Sequence, residues 1–158
     1  MPNNYSAILA DIKTKLESVT DIGVIHDYER WIVDPSKFIA LFAFTPAGGV
    51  KQIRGWEITR ISASEHLKGA FFRHHKFKLN GYLGLKDADA TGKTFQVLIE
   101  EICAKFRGAV TTQAWDYRDG DNPGNAPAQV MAIDTRMYGE LLCHCTEIHI
   151  SITERILP

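Results

Sequence analysis

The sequence predicts an α+β domain: a mainly antiparallel or mixed β-sheet of five to six strands with two amphipathic helices packed on one face. Three observations lead there. Phe95, Leu98, Ile99, Ile102, Cys103 and Phe106 fall at offsets 0, 3, 4, 7, 8 and 11, the single apolar stripe of a helix. Several other stretches carry the period of two that a strand requires, among them Ile148, Ile150 and Ile152. The order is helix, four strands, helix, then one or two strands, and consecutive strands favour antiparallel neighbours.

Taken in order, Tyr5, Ile8, Leu9, Ile12, Leu16 and Val19 recur three and four apart, which predicts a first helix over about 6–18, capped by Asn4 or a neighbour. Asp21-Ile-Gly23 breaks it. Gly23 to Tyr28 is short and β-branched and reads as a strand. Phe38 to Phe44, apolar throughout, reads as a central strand. The turn Thr45 to Gly49 returns the chain into a strand over 50–62, which completes a hairpin with Trp56 and Ile58 on one face and Ile53 and Ile61 on the other. Phe72 to Tyr82 is a further strand, with Phe77 and Leu79 pointing one way and His74, Lys76 and Lys78 the other. The helix of the apolar stripe follows, with Asp87 or Asp89 as its cap and Gly108 as its stop. A long polar loop spans about 113–129, rich in Gly, Pro, Asn and Asp, with Trp115 and Tyr117 at its start. Val130 to Thr135 is a short strand and Leu141 to Glu154 a long final one.

Composition narrows the function. The 158 residues predict one domain, and 45% hydrophobic residues suffice for a core. Eighteen Lys and Arg against nineteen Asp and Glu leave a net charge of −1, so the whole molecule is not drawn to nucleic acid or membrane. The sequence shows no signal peptide and no apolar run of membrane-spanning length. Three cysteines in such a chain read as reduced thiols rather than a disulfide framework.

Gly92-Lys93-Thr94 resembles the end of a phosphate-binding loop. That loop, G-x-x-x-x-G-K-[ST], needs a glycine where this chain has Asp87. Asp87 and Asp89 would also repel phosphate, so the tripeptide reads as the first turn of a helix with Lys93 exposed. Cys143, His144, Cys145 and His149 have the residue types of a metal site but not its spacing. On a strand, Cys143, Cys145 and His149 share one face and His144 the other, and no second pair completes a zinc motif. A metal-dependent enzyme built on His66, His74 and His75 with the Cys143/Cys145 pair is the alternative reading from a different class. Neither G-x-S-x-G nor His-Glu-x-x-His occurs, so no catalytic residue, cofactor or metal ligand is assigned and no enzyme activity is expected. Arg73 to Lys78 is a local basic patch that reads as a solvated strand face.

The stretch from His75 to Gln96, with its strand ending in Gly-Tyr, its acidic Asp-Ala turn and a helix beginning Phe-Gln, resembles the tail-terminator and minor tail (tail-completion) proteins of long-tailed bacteriophages and prophages. The hairpin with Trp56 in its return strand and the long final strand are similar too. The specific part covers about residues 53–107. The resemblance implies a single tail-terminator-like domain over 1–158 and a structural role by shape. Such proteins form a homo-oligomeric ring, expected to be a hexamer, which caps the tail tube and joins it to head–tail connector proteins of the neck. Another head–tail joining or minor tail role is the nearest alternative. The expected location is the bacterial host cytoplasm during assembly and then the virion tail, with no membrane partner. The candidate ring-interface residues are Phe71, Phe72, Gly48, Gly49, Trp115 and Tyr117. If the ring surrounds DNA, Lys51, Arg54, Lys68 and Arg73 are the candidates for non-specific lumen contacts. The polar loop at 113–129 sets this chain apart from shorter members of the group.

Overall fold

A strand that is apolar at every second position commits one face to a core, and three long strands of this chain share that commitment. A computed structural model describes residues 4–31, 34–108, 114–138 and 140–157. Along the chain run α1 (Asn4–Glu17), β1 (Val24–His26), α2 (Pro35–Phe42), β2 (Ala43–Phe44), β3 (Gln52–Leu67), β4 (Phe71–Gly84), a 3₁₀ turn (Asp87–Asp89), α3 (Thr91–Phe106), β5 (Trp115–Asp116), β6 (Ala128–Tyr138) and β7 (Leu141–Ile156). The sheet is mixed and has seven strands in the order β1-β3-β4-β7-β5, with β2 also on β3 and β6 also on β7. All its pairings are antiparallel except β1 with β3. The α+β architecture is therefore the predicted one, with a larger sheet and a third helix.

The main core lies on one face. Trp56 and Ile58 of β3, Phe77, Leu79 and Leu83 of β4, and Ile148, Ile150 and Ile152 of β7 project from that face and are fully buried. They are covered by Ile8, Ile12 and Leu16 of α1 and by the apolar stripe of α3. Each such side chain contributes about 1.5–3 kcal/mol by leaving water. The opposite face carries a second cluster, where Phe38 and Phe42 of α2 pack on Ile53, Cys143 and Cys145, with Tyr82 and Tyr138 beside them.

That second cluster corrects the reading of Phe38 to Phe44 as a central strand. The run satisfies both periods, and the residues before it decide. Asp34 caps the helix by accepting the backbone N–H of Ser36 at 2.9 Å, and Pro35 occupies the first turn, where its missing N–H costs nothing. Phe38 and Phe42, one helical turn apart, then meet the sheet. Only Ala43 and Phe44 remain extended, paired with Ile53 and Gln52, so the predicted hairpin shrinks to two residue pairs. The long hairpin is instead β3 with β4, paired from Arg54↔Leu83 to Leu67↔Phe71 with a bulge at Ile61, where the register shifts between Arg60 and Ser62.

The predicted caps differ as well. Asn4 lies inside α1, and its amide donates to Glu154 Oε1 at 2.8 Å. At α3 the cap is Ala90, in the left-handed region with φ 51°, and no side chain caps the helix. Asp87 and Asp89 belong to the 3₁₀ turn, where Asp89 pairs with Lys86. Gly92, Lys93 and Thr94 do form the first turn of α3, with Lys93 exposed.

Two glycines let large rings lie flat on the sheet. A Cβ at Gly55 would sit 2.3 Å from the Phe42 ring, and one at Gly81 would sit 2.2 Å from the Trp56 ring. Gly81→Ala is expected to lower stability by about 1–3 kcal/mol through overpacking. Gly84→Ala, three residues on, meets nothing nearer than 3.7 Å and should stay within about 0.5 kcal/mol of wild type. Urea unfolding followed by tryptophan fluorescence measures both.

Candidate functional site

The sheet ends in two open edges. Among the described residues, β6 pairs on one side only, with β7. Its outward surface carries the exposed side chains Val130, Met131, Ile133 and Met137, with Leu142 of β7 alongside. Met131 is an extra residue in the ladder, because Val130 faces Ile148 while Ala132 faces Glu147. On the far side of the sheet, β1 covers Gly55 to Glu57 of β3 and β2 covers Gln52 and Ile53. Among the described residues, β3 from Thr59 to Leu67 is paired with β4 alone, and Ile61 and Leu67 are exposed there. Unpaired backbone along both edges offers donors and acceptors for a further strand.

The predicted interface residues divide between surface and core. Phe71 is exposed at the end of the β3–β4 hairpin, with Phe72 half-buried beside it, and Gly48 and Gly49 are exposed in the turn after β2. Trp115 and Tyr117 are not surface groups. Both are buried in the main core, Trp115 on the short strand β5 against Glu154 and Tyr117 against Phe106 with its hydroxyl donating to Asp11. The polar loop therefore begins only after Tyr117 and ends at β6; its predicted first residue, Gln113, lies outside the described residues.

The predicted lumen cations divide in the same way. Lys51 and Lys68 are exposed near turns. Arg54 is buried, donates to the Asp21 carbonyl at 2.9 Å and stands over Phe44, so it ties the 21–23 turn to β3 rather than facing solvent. Burial also pulls its pKa down. Arg73 is held by Glu65 across the hairpin, with Nε at 3.0 Å, and approaches Glu154 at 3.7 Å.

The alternative metal centre does not assemble as predicted. Cys143 and Cys145 face Gly84 and Tyr82 across β7, while His74 and His75 face Thr153 and Ile152. Seven residues of strand separate Cys145 from Ile152, about 23 Å at the usual rise. The two thiols belong to the second cluster, where burial pushes Cys143 up to about 11 and raises Cys145 as well. His144 contacts Thr91 Oγ1 at 2.9 Å and stacks on Phe95, and His149 pairs with Glu147 at 2.6 Å.

His75 turns into the main core, away from its neighbour His74. Its Nε2 donates to Glu154 Oε2 at 2.7 Å. Burial lowers its pKa below the ordinary 6.5, outweighing the attraction of Glu154, and Arg60 and Arg73 add repulsion. His66 and His74 remain together on the opposite face, stacked with ring centroids 4.6 Å apart. The polar loop brings Asp121 to them, a contact between residues 47 apart in sequence that no local signal announces.

No protein-family model matches the chain, and no curated protein is significantly similar to it.

Two outcomes follow from the buried groups. The unfolded chain takes up a proton at His75 near pH 6.5, whereas the folded chain resists it, so the stability from the neutral ring is present above that pH and is lost as pH falls toward the lowered folded value. The urea midpoint of wild type should therefore drop more between pH 7.5 and 5.5 than that of His75→Gln. The thiols of Cys103, Cys143 and Cys145 are buried with raised pKa values, so Ellman's reagent at pH 8 should label them slowly in the native protein and rapidly in urea.

Proposed function

We propose that this chain is a structural tail-assembly protein of a long-tailed phage or prophage, a terminator that forms a homo-oligomeric ring. The ring would cap the tail tube and present a surface to the neck. The observation that carries this reading is the pair of unpaired strand edges on opposite sides of the sheet. Edges on two different surfaces of one subunit suit a head-to-tail contact, and a head-to-tail contact repeated about an axis closes into a ring. The exposed apolar side chains of β6 would gain by such pairing, and main-chain hydrogen bonds would set its register. The resemblance of the segment from His75 to Gln96 points to the same group of proteins.

On this reading the contact residues are revised. Phe71 and Phe72 remain candidates at the hairpin end, as do Gly48 and Gly49 in the turn, while Trp115 and Tyr117 give way to Val130, Met131, Ile133 and Met137. Lys51 and Lys68 remain the candidates for non-specific contact with DNA in a lumen. Six subunits are the expectation from the resemblance. The work is done by surface complementarity with tail-tube and connector proteins, in the host cytoplasm and then in the virion tail. Among the described residues, no helix is long and apolar enough to cross a membrane.

Electron microscopy of tails made with and without the protein tests the role. A terminator leaves tubes of irregular length when it is missing; tubes of unchanged, uniform length would overturn the reading, and normal tubes that fail to join heads would move it to a joining role. The contact itself is tested by Met131→Lys with Ile133→Lys. Both residues are exposed, so the monomer should stay folded by circular dichroism while ring formation at the tail end is lost.

A further inference from the structure

Three ligand atoms from distant parts of the chain converge where the polar loop meets the β3–β4 hairpin. One ring nitrogen each of His66 and His74 and a carboxylate oxygen of Asp121 all lie within 4.8 Å of one another. Asp121 Oδ1 stands 2.9 Å from His74 Nδ1 and 3.7 Å from His66 Nε2. The β-ladder sets the two histidines: Ser64 pairs with His74 and His66 with Phe72, so the rings are diagonal neighbours on one face. The loop sets the carboxylate. Asp119, buried, accepts the backbone N–H groups of Asp121 at 3.1 Å and Asn122 at 3.0 Å and so fixes the turn. Gly120 lets that turn come close, since a Cβ there would sit 2.4 Å from His74 Nε2.

We propose that His66, His74 and Asp121 form a three-ligand site for a divalent transition metal of the zinc class, which clamps the loop between Tyr117 and β6 onto the β3–β4 hairpin. Tetrahedral coordination with bonds of about 2 Å places its ligand atoms about 3.3 Å apart, between the 2.9 and 3.7 Å that separate Asp121 from the two rings, so side-chain rotations complete it. Two imidazoles and one carboxylate select zinc, cobalt or nickel over magnesium or calcium, which prefer oxygen. Lys68 and Arg118 line the same cleft of about 210 Å³, and Lys76 also acts on Asp121. These cations oppose any divalent ion, so binding depends on the directed bonds of the two imidazoles. Ser64 Oγ lies 3.2 Å from His66 Nε2, a contact that metal binding would replace. The role is structural: the metal joins two elements and needs no substrate. It stands independently of the ring.

Isothermal titration of the full chain with Zn²⁺, and absorption spectra with Co²⁺, test the site. The expected result is one ion per chain, a tetrahedral Co²⁺ spectrum and a rise in thermal midpoint with bound Zn²⁺. His66→Gln and Asp121→Asn, at accessible positions, should each weaken binding by at least about tenfold while the circular dichroism spectrum stays that of wild type. The absence of saturable binding of either ion would overturn the proposal. So would unchanged affinity in both variants, which would place the ion on other histidines or on the thiols.

Discussion

A slip of β4 by one residue would put Lys76 and Lys78 where Phe77 and Leu79 stand. The register of this strand is the constraint on which the rest of the molecule depends. β4 is central, with β3 on one side and β7 on the other over almost its whole length. Its fully buried Phe77, Leu79 and Leu83 meet Ile148, Ile150 and Ile152 from β7 and Trp56 and Ile58 from β3. Helices α1 and α3 can close only over this face, because only here is the sheet apolar enough to bury their stripes. A slip would expose the whole set at once, and so the register is fixed by the pattern rather than by any single contact.

The same alternation gives the other face its character. Gly55 and Gly81 stand at adjacent places in the β3–β4 ladder but point to opposite sides, and each leaves room for one large ring. Trp56 fills the space over Gly81 and Phe42 that over Gly55. The sheet is thus packed on both faces near β2, whereas toward the far end of the β3–β4 hairpin its second face meets the polar loop. The histidine–aspartate cluster lies at this far end of the hairpin, whereas the β6 edge reaches α2 through Tyr138, which stacks on Phe38.

Much of this architecture was legible in the sequence. The stripe of α3, the recurrence in α1 and the alternation of β4 and β7 are strong because each repeats over three or more turns or pairs. The run Phe38 to Phe44 was ambiguous because it is apolar at both periods; the sequence Asp34-Pro35-Ser36 held the deciding information, which is local and easily passed over. Trp115 and Tyr117 were misplaced because a polar stretch follows them, though two large aromatics at the margin of a loop are themselves a sign of burial. His66 and His74 stood together in the alternative metal reading, but Asp121 left no trace, since its place beside them depends on a loop folding back across 47 residues. Arg54 was misread for a related reason: nothing in its neighbours announces that the Asp21 carbonyl will receive it.

The bulge at Met131 has a bearing on solubility. A straight, apolar edge strand is a template on which identical chains can stack without limit. Here the extra residue breaks the edge of β6 into two short stretches and twists the strand between them. A copy approaching with its own β6 meets two mismatched kinks. Free chains are in this way discouraged from growing sheets of their own.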